Sequence, residues 1–414
     1  MASEAEVFGL PSVYIDFKTK GTTAIKRSAR GIVAMILKNE ETNTMNTYRI
    51  NDVADIPETG LTDENVDLIK KCLLGTPLRI LVYTLPLDTV KPKTTQSEDG
   101  KTVTEDLVTQ ADALKVLEGI KWNWLCAPTA TVQEQQDLAI WVKSERSNKR
   151  KTFKAVLANQ AADNEGVVNF TSSGIKVADG TDNDGNTTYK TYTALEYTAR
   201  ICGILAGLAL DRSATYYKLT EVEEVDVVPE IDSHIDHGEF LLFDENDGEG
   251  VKVARACNSL QTFTTDKGED FRFIKIIEAV DMIMDDIRDT FKKYYVGKVI
   301  NDYNHKMLFT SAIKIYFTEI QGNVLDANGN NTVDIDEQYQ RNYAILHGED
   351  VEKMSAMQIR EYNTGTNVVL VGSVKPVNAM EEGLSIVLCK FFSQSCRTYA
   401  SRPTCAHPFR VGYA

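Results

Sequence analysis

The sequence predicts a multi-domain protein that combines the α/β and α+β fold classes, and three observations support this. The chain has 414 residues, 43% of them apolar, which exceeds the roughly 100–200 residues of one typical domain. Helical and extended patterns alternate through the middle of the chain, as they do in layered α/β domains. A third region, from about residue 219, contains a hairpin pattern and continues with a long amphipathic helix, which indicates a separate mixed sheet-and-helix domain.

The central segments alternate between strand and helix. Thr131 with Glu134, and Thr193 with Glu196, have the spacing of capping boxes that open helices. Gly203 and Gly207 sit within the second of these helices, where their spacing predicts tight helix packing. The predicted strands are 31–37, 78–83, 122–127, 153–158 and 167–170, the predicted helices begin near 64, 107, 131 and 193, and a polar hairpin or boundary spans 88–101.

The region from about residue 219 contains the most regular helical pattern of the chain. Residues 240–255 read as a hairpin with an Asp-Gly turn, and residues 367–372 read as a strand. Between them, apolar residues recur at helical spacing over 271–300. The first half of this helix carries acidic residues and its end carries basic ones, which suits the helix dipole. These are Glu278, Asp281, Asp285, Asp286 and Asp289, followed by Lys292, Lys293 and Lys298.

Five segments follow from these patterns. They are an N-terminal extended arm (1–25), a small β-rich domain (26–95), an α/β domain (96–218), a C-terminal core domain (219–378), and a C-terminal arm with an atypical tail (379–414). The tail stands out because no acidic residue follows Glu382, although four basic residues occur in these last 32 positions. Residues 1–382 alone carry 41 basic and 60 acidic residues, a net charge of −19.

The N-terminal arm contains a strand pattern without a local partner. Val13, Ile15 and Phe17 alternate with polar residues, and a loose polar stretch follows. Such a strand pairs with a distant element or with another chain. Spacing alone favours a strand of the domain's own sheet, although 22 extended residues could reach roughly 70 Å.

Charge and cysteine content exclude other classes of protein. The chain has 45 basic and 60 acidic residues, and its net charge of −15 argues against nucleic acid as the main partner. The longest apolar stretch, 201–210, is too short to span a membrane and contains two glycines. Seven cysteines without a recognisable secretory signal predict reduced thiols in a cytoplasm.

A search for catalytic and metal-binding motifs finds two weak candidates. There is no Walker A, GxSxG, GxGxxG or HExxH motif. Asp232, His234, Asp236 and His237 could bind a metal or form an acid/base pair, although a polar loop is the favoured interpretation.

The second candidate is a calcium loop with oxygen ligands at alternating positions, although a Gly/Asn hairpin loop is the favoured interpretation. Asn331 stands where such loops have glycine, and the β-branched and aromatic segment 313–320 does not predict a clean entering helix. The candidate ligands are Asp326, Asn328, Asn330, Asp334 and Glu337.

An ordered series of segments resembles contractile phage tail sheath proteins. The series begins with residues 10–17 (LPSVYIDF) and 28–34 (SARGIVA) and covers about residues 8–382. The resemblance is closest to sheaths of Gram-positive phages, defective prophage particles and R-type bacteriocins. The other matching segments are 200–208, 213–216, 238–244, 251–260, 277–287, 295–301 and 374–381.

The resemblance implies a structural polymer without enzymatic activity or cofactor. Sheath subunits stack as hexameric rings around a tail tube and contract to drive the tube through a cell envelope. Their N- and C-terminal arms add strands to a sheet in the C-terminal domain of neighbouring subunits, which reverses the preference for a local strand. The implied arm residues are Val13, Tyr14, Ile15, Asp16, Phe17, Leu384, Ile386 and Leu388.

The resemblance also implies partners and a location. The partners are identical subunits, the tube protein, and baseplate and tail-terminator proteins, with no nucleic acid and no direct membrane insertion. Assembly is expected in the host bacterial cytoplasm, followed by release in a phage or phage-tail-like particle. The helix at 271–300 is a candidate tube-facing element through Asp285, Asp289, Lys292 and Lys293, although an amphipathic core helix explains its pattern equally well.

The tail departs from the family and rival functions remain open. Residues 383–414 depart from the acidic and apolar ending of sheath proteins, which favours an altered reading frame or an introduced change over a native extension. The rivals are an α/β enzyme using residues 232–237, a calcium-dependent binding module using residues 326–337, and a tube or baseplate protein of the same particle.

Overall fold

A computed structural model describes residues 29–96, 102–182, 184–265 and 267–381. The chain divides into two units, Met1–Ala379 and Met380–Ala414, and all of the helices and strands named below belong to the first. The predicted arm residues Val13–Phe17, Leu384, Ile386 and Leu388 lie outside the described residues, as does the atypical tail 383–414.

A seven-stranded sheet organises the first half of the unit. Its strand order is β12-β8-β7-β6-β1-β3-β2, and every neighbouring pair is parallel except β2 with β3. β1 pairs with both β3 and β6, so the sheet joins the ranges 26–95 and 96–218 that sequence reasoning assigned to two domains. The strands are β1 (Ile32–Glu40), β2 (Asn46–Ile50), β3 (Arg79–Pro86), β6 (Trp124–Cys126), β7 (Lys154–Ala158), β8 (Val167–Phe170) and β12 (Glu239–Phe240).

Helices cover both faces of this sheet, as the α/β prediction requires. Alternate residues of β1 point to opposite faces. Val33, Met35 and Leu37 pack in the core that contains buried residues of α1 and α4, whereas Ala34 and Ile36 pack in the core that contains those of α2 and α3. These helices are α1 (Asp63–Leu73), α2 (Gln110–Glu118), α3 (Val132–Lys149) and α4 (Ala194–Gly207).

Local sequence signals place the ends of these helices correctly. Thr131 and Thr193 each cap a helix with their side chains. The carboxylates of Glu134 and Glu196 accept hydrogen bonds from the backbone N–H groups of these cap residues, as predicted. A further box, Thr109 with Asp112, opens α2 and was missed because Asp stands where the motif has Glu or Gln. The predicted tight packing at Gly203 is confirmed, since an added Cβ there would lie 2.1 Å from the carbonyl oxygen of Cys72.

Smaller sheets and short elements surround the main sheet. The sequence analysis missed β2 and the hairpin β9–β10, whose residues are largely exposed and of which only Ile50, Ile175, Val177 and Tyr192 are buried. The remaining strands are β4 (Thr94–Gln96) with β5 (Thr102–Thr104), β9 (Ile175–Thr181) with β10 (Thr187–Tyr192) and β11 (Val222–Glu224), β13 (Leu242–Phe243) with β14 (Lys252–Val253), and β15 (Thr332–Ile335) with β16 (Leu370–Ser373). A short helix, α5 (Ile231–Asp236), precedes β12.

Helices dominate the last third of the unit. A third apolar core includes Ala279, Met282, Ile313 and Phe317 from its two longest helices. These helices are α6 (Ile274–Tyr294) and α7 (Tyr303–Glu319), and α8 (Glu337–Leu346) and α9 (Ala356–Glu361) follow.

Two expectations about these helices were wrong. α6 ends at Tyr294 rather than near residue 300, because the chain turns through Gly297 with a φ of +70°. The segment 313–319 belongs to helix α7 although it is β-branched and aromatic. Its buried residues Ile313, Tyr316 and Phe317 fall on one helical face, so tertiary packing overrides the local strand propensity.

Candidate functional site: the acidic face of helix α6

Four acidic residues of α6 share one face of the helix. Glu278, Asp281, Asp285 and Asp289 follow one another at steps of three and four residues. Several of their partners lie just before a parallel strand or at its start: Arg30 precedes β1 and Lys154 begins β7. The acidic face of α6 therefore packs across the amino-terminal edge of the main sheet.

Asp281 is at the centre of this contact and is only 2% exposed. Arg146 of α3 donates to both carboxylate oxygens of Asp281, at 2.9 and 3.1 Å. Lys154 Nζ donates to Asp281 Oδ2 at 3.1 Å and lies 5.3 Å from the centre of the Trp124 ring. Arg146 and Asp281 therefore form a charge-assisted, bidentate pair in a largely buried site.

The network extends from Asp281 to both sides. Glu278 binds the guanidinium of Arg30 and lies 3.0 Å from Lys154 Nζ. On the other side, Arg146 Nε contacts Glu165 at 3.3 Å, and Lys267 Nζ reaches both oxygens of Glu165 at 2.9 Å. Each buried charge in this chain of contacts therefore has an oppositely charged partner.

Asp285 and Asp289 continue the face toward the surface. Thr152 Oγ1 donates to Asp285, with oxygen distances of 2.9 and 3.0 Å, and Arg288 Nη1 lies 3.4 Å from Asp285 Oδ1. Lys121 Nζ binds Asp289 at 2.6 Å. Burial raises the pKa of Asp285 above its usual 3.8, which the nearby cations only partly counter.

The prediction of a tube-facing surface needs correction at Asp285. This residue is buried against Thr152, so its carboxylate is not presented on the surface of the subunit. Asp289 is about half exposed and Lys292 and Lys293 are exposed, so these three stay a prediction. The acidic side chains of an amphipathic helix normally face solvent, and for this reason the sequence pattern predicts an exposed Asp285.

The carboxylates of the candidate calcium loop are bound by cations of the chain itself. Arg360 reaches Asp334 at 2.7 Å and Glu337 at 2.6 Å, and Lys375 pairs with Asp326 at 2.8 Å. In the described ranges no group of three or more His, Cys, Asp or Glu side chains could hold a metal ion. Asn328 and Asn330 lie on the turn before β15, between Asp326 and the strand.

The Asp232–His237 cluster is engaged in local contacts. Asp232, His234 and Asp236 belong to α5, and His237 ends that helix. The Nδ1 atom of His234 lies 2.9 Å from Glu239 Oε2, and that of His237 lies 2.6 Å from the carbonyl oxygen of Ser233. Asp236 faces Arg272 at 3.3 Å. The segment is therefore a short helix with local side-chain contacts before a strand, rather than the polar loop favoured from the sequence.

Comparison with known proteins identifies the family. Residues 100–259 match the family model described as phage tail sheath protein central domain, and residues 266–383 match the one described as phage tail sheath C-terminal domain. The tail sheath protein of Clostridium phage phiCD119 is 34% identical over 385 residues, which cover 90% of this chain and 98% of that protein. The chain belongs to the phage tail sheath family.

Solved sheath structures share the fold of this sheath subunit. The helical sheath of the anti-feeding prophage in its contracted state aligns with a TM-score of 0.62 at 13% identity, covering 94% of this chain and 100% of that chain. The sheath tail protein of Desulfitobacterium hafniense aligns with a TM-score of 0.57 at 21% identity, covering 78% and 94%.

These findings identify the chain as a structural subunit of a contractile tail sheath and a component of a phage tail particle. The predicted family and fold class are therefore confirmed. Across the described residues, no helix of the sheath subunit has the length and apolarity needed to cross a bilayer.

The residues that pair with α6 were missed by sequence reasoning. Arg30, Arg146 and Lys154 lie 127 or more positions from their acidic partners. The available signal was the regular spacing of the acids, which shows that they share a face but not what that face contacts.

We expect the sheath subunit to lose stability in acid through this network. Burial alone would raise the pKa of Asp281, but Arg146 and Lys154 outweigh it and hold that pKa below its usual 3.8. Burial would also raise the pKa of Glu278, but the nearby cations Lys154 and Arg30 outweigh burial and hold this pKa below its usual 4.5. Carboxyl groups whose pKa is lowered by folding stabilise the fold above their unfolded pKa, and this is lost as the pH falls through the folded value.

The free energy of unfolding should therefore fall as the pH drops below about 4.5, measured by urea unfolding between pH 7 and pH 3. Asp285 partly opposes this trend, because protonation of a group whose pKa folding raises favours the folded state. The Asp281→Asn variant should show a shallower fall. Equal slopes for the two proteins would contradict the assigned role of Asp281.

Proposed function

We propose that the subunit polymerises as stacked hexameric rings around a tail tube and contracts to drive the tube through a cell envelope. The observation that carries this is the 34% identity to a phage tail sheath protein over 98% of that protein's length. The likeness to contracted sheaths of the anti-feeding prophage and of the PVC injection system supports it at the level of fold. The energy is stored at assembly, as a free-energy difference between two sets of subunit interfaces.

The proposal includes strand addition between subunits. Residues 13–17 and 384–388 carry the two arm strands, and the acceptor is the β15–β16 sheet of a neighbour. Among the described strands this sheet consists of β15 and β16 alone, paired antiparallel from Thr332↔Ser373 to Ile335↔Leu370. β16 is largely exposed and Val371 is 55% exposed, so its edge is available for pairing.

The remaining parts of the proposal concern partners and domains. The subunit contacts identical copies, the tube protein, and baseplate and terminator proteins, and it has no enzymatic activity. Asp289, Lys292 and Lys293 are the proposed tube-facing residues. Assembly takes place in the host cytoplasm before the particle is released. Of the five segments proposed from the sequence, 1–25 and 379–414 act as arms, and the ranges 26–95, 96–218 and 219–378 form a body in which all three contribute strands to the main sheet.

Deleting residues 2–22 tests the arm linkage. We expect the deleted subunit to remain a folded monomer that forms no long tubes, because it lacks the strand that links it to a neighbour. The measurements are circular dichroism for folding and negative-stain microscopy for polymer length. Deletion of residues 2–8 is the matched control, since it leaves Val13–Phe17 in place and should polymerise normally. Normal tubes from the longer deletion would contradict the arm proposal.

A further inference from the structure

A basic cleft lies on one face of the main sheet near its β2 edge. Cross-strand pairing places Arg49 opposite Leu81, Thr47 opposite Tyr83, and Ile32 opposite Arg79, so these side chains share a face. Ile120 and Lys121, which follow α2, form another wall. The cleft has a volume of about 340 Å³, enough for one or two side chains of a partner.

The charged residues that line this cleft are all cationic. They are Arg49, Arg79 and Lys121. Lys121 is held by Asp289, but in the described part of the chain neither arginine takes part in an ion pair. Arg79 Nε donates to the neutral Asn51 Oδ1 at 2.9 Å, and Arg49 is exposed. Two guanidinium groups therefore line a concave site without a carboxylate to neutralise them.

The position of the two arginines suits an acidic ligand. Arg49 pairs with Leu81, two residues beyond Arg79, so the arginines are diagonal neighbours on adjacent strands. Diagonal neighbours lie about 7–8 Å apart, within reach of long side chains that converge on one group. A guanidinium binds a carboxylate through two parallel hydrogen bonds, and a concave site lined by one sign of charge concentrates the opposite sign.

We propose that this cleft binds a carboxylate-bearing segment of a second copy of the chain. The argument is charge complementarity: the chain carries a net charge of −15, and −19 over residues 1–382, so each neighbouring copy presents a surplus of carboxylates. This inference rests on the proposed function, because it requires that copies of the chain lie side by side in a polymer. It adds a second contact, independent of strand addition, that fixes the orientation of neighbouring subunits.

Chemical crosslinking tests the contact directly. The Arg49→Lys variant keeps the positive charge and places a carbodiimide-reactive amine in the cleft. Polymers are assembled from a mixture of ¹⁴N- and ¹⁵N-labelled subunits, treated with carbodiimide and digested for mass spectrometry. We expect peptides that join position 49 of one isotope to an Asp or Glu of the other, in polymer but not in dissociated monomer. A polymer without such peptides, or crosslinks confined to a single isotope, would overturn the proposal.

Charge reversal gives a second and quantitative test. We expect Arg49→Glu with Arg79→Glu to raise the concentration needed for polymerisation at least tenfold, while Arg49→Lys with Arg79→Lys stays within about threefold of the unmodified chain. An unchanged polymerisation threshold in the Glu variant would overturn the contact and leave the proposed function intact. Failure of the unmodified chain to polymerise would instead overturn the proposed function and this inference with it. If the Glu variant does not fold, the crosslinking result decides.

Discussion

Replacing Asp281 by alanine should destabilise the subunit by about 3–5 kcal/mol, the usual cost of removing one partner from a buried ion pair. The carboxylate accepts two bonds from Arg146 and one from Lys154, and its side chain is almost completely buried. Without it, two largely buried cations would stay at the sheet edge with less compensating charge. Urea unfolding at pH 7, followed by circular dichroism, measures the change.

The matched control is Asp289→Ala on the same helix face. The carboxylate of Asp289 is 48% exposed and pairs with Lys121, so its loss should cost less than about 1 kcal/mol. Equal losses for the two variants would show that burial does not set the strength of this contact. Moderate salt should change the stability of the unmodified chain only slightly, because buried pairs are weakly screened.

Replacing Gly203 by valine should destabilise the subunit by at least about 3 kcal/mol, because overpacking of a tight contact costs up to this amount even where the backbone can yield. At Gly203 the added side chain would collide with backbone atoms, which cannot move aside as a flexible side chain can. A Cβ at Gly203 would lie 2.1 Å from the carbonyl oxygen of Cys72, and one at Gly207 would lie 1.8 Å from that of Gly75. α1 and α4 would have to separate, which opens the core beneath them.

A graded series checks this expectation. Gly203→Ala should already lower the thermal midpoint, and Gly203→Val should lower it further or abolish soluble expression. Gly268→Ala is the control, since its φ is −73° and an added Cβ meets nothing within 4 Å, so it should stay within about 0.5 kcal/mol of the unmodified chain. A Gly203→Val variant as stable as the control would contradict the close approach of α1 and α4.

Sequence reasoning succeeded where the signal is local. The capping boxes at Thr131 and Thr193 begin α3 and α4 as predicted, and the alternation of β1 reflects two apolar cores. The close packing at Gly203 and Gly207 was also predictable from the sequence, because small residues at helical spacing favour close helix packing whatever the partner is.

The failures have a common physical cause. Whether an acidic helical face meets solvent or a buried cation depends on residues far away in the chain, as Arg30 is from Glu278. Asp285 was therefore placed on the surface, although it packs against Thr152. Residues 313–319 of α7 are β-branched and aromatic, and their contacts in the third core override this strand propensity.

The buried network bears on the proposed mechanism. A subunit that slides and rotates against its neighbours must move as a body, and the contact between α6 and the sheet edge joins the C-terminal helices to the main sheet. The Asp281→Ala subunit, if still folded, is expected to polymerise but to yield sheaths that fragment under load.

Helical reconstruction of the native particle by electron cryomicroscopy, before and after contraction, is the decisive measurement for the proposed sheath function. We expect rings of six copies of this chain around a tube, with the described fold fitting both the extended sheath and a shorter, wider contracted one. The proposed function would be contradicted if the density around the tube belonged to another protein, or if this chain occurred only in the tube or the baseplate.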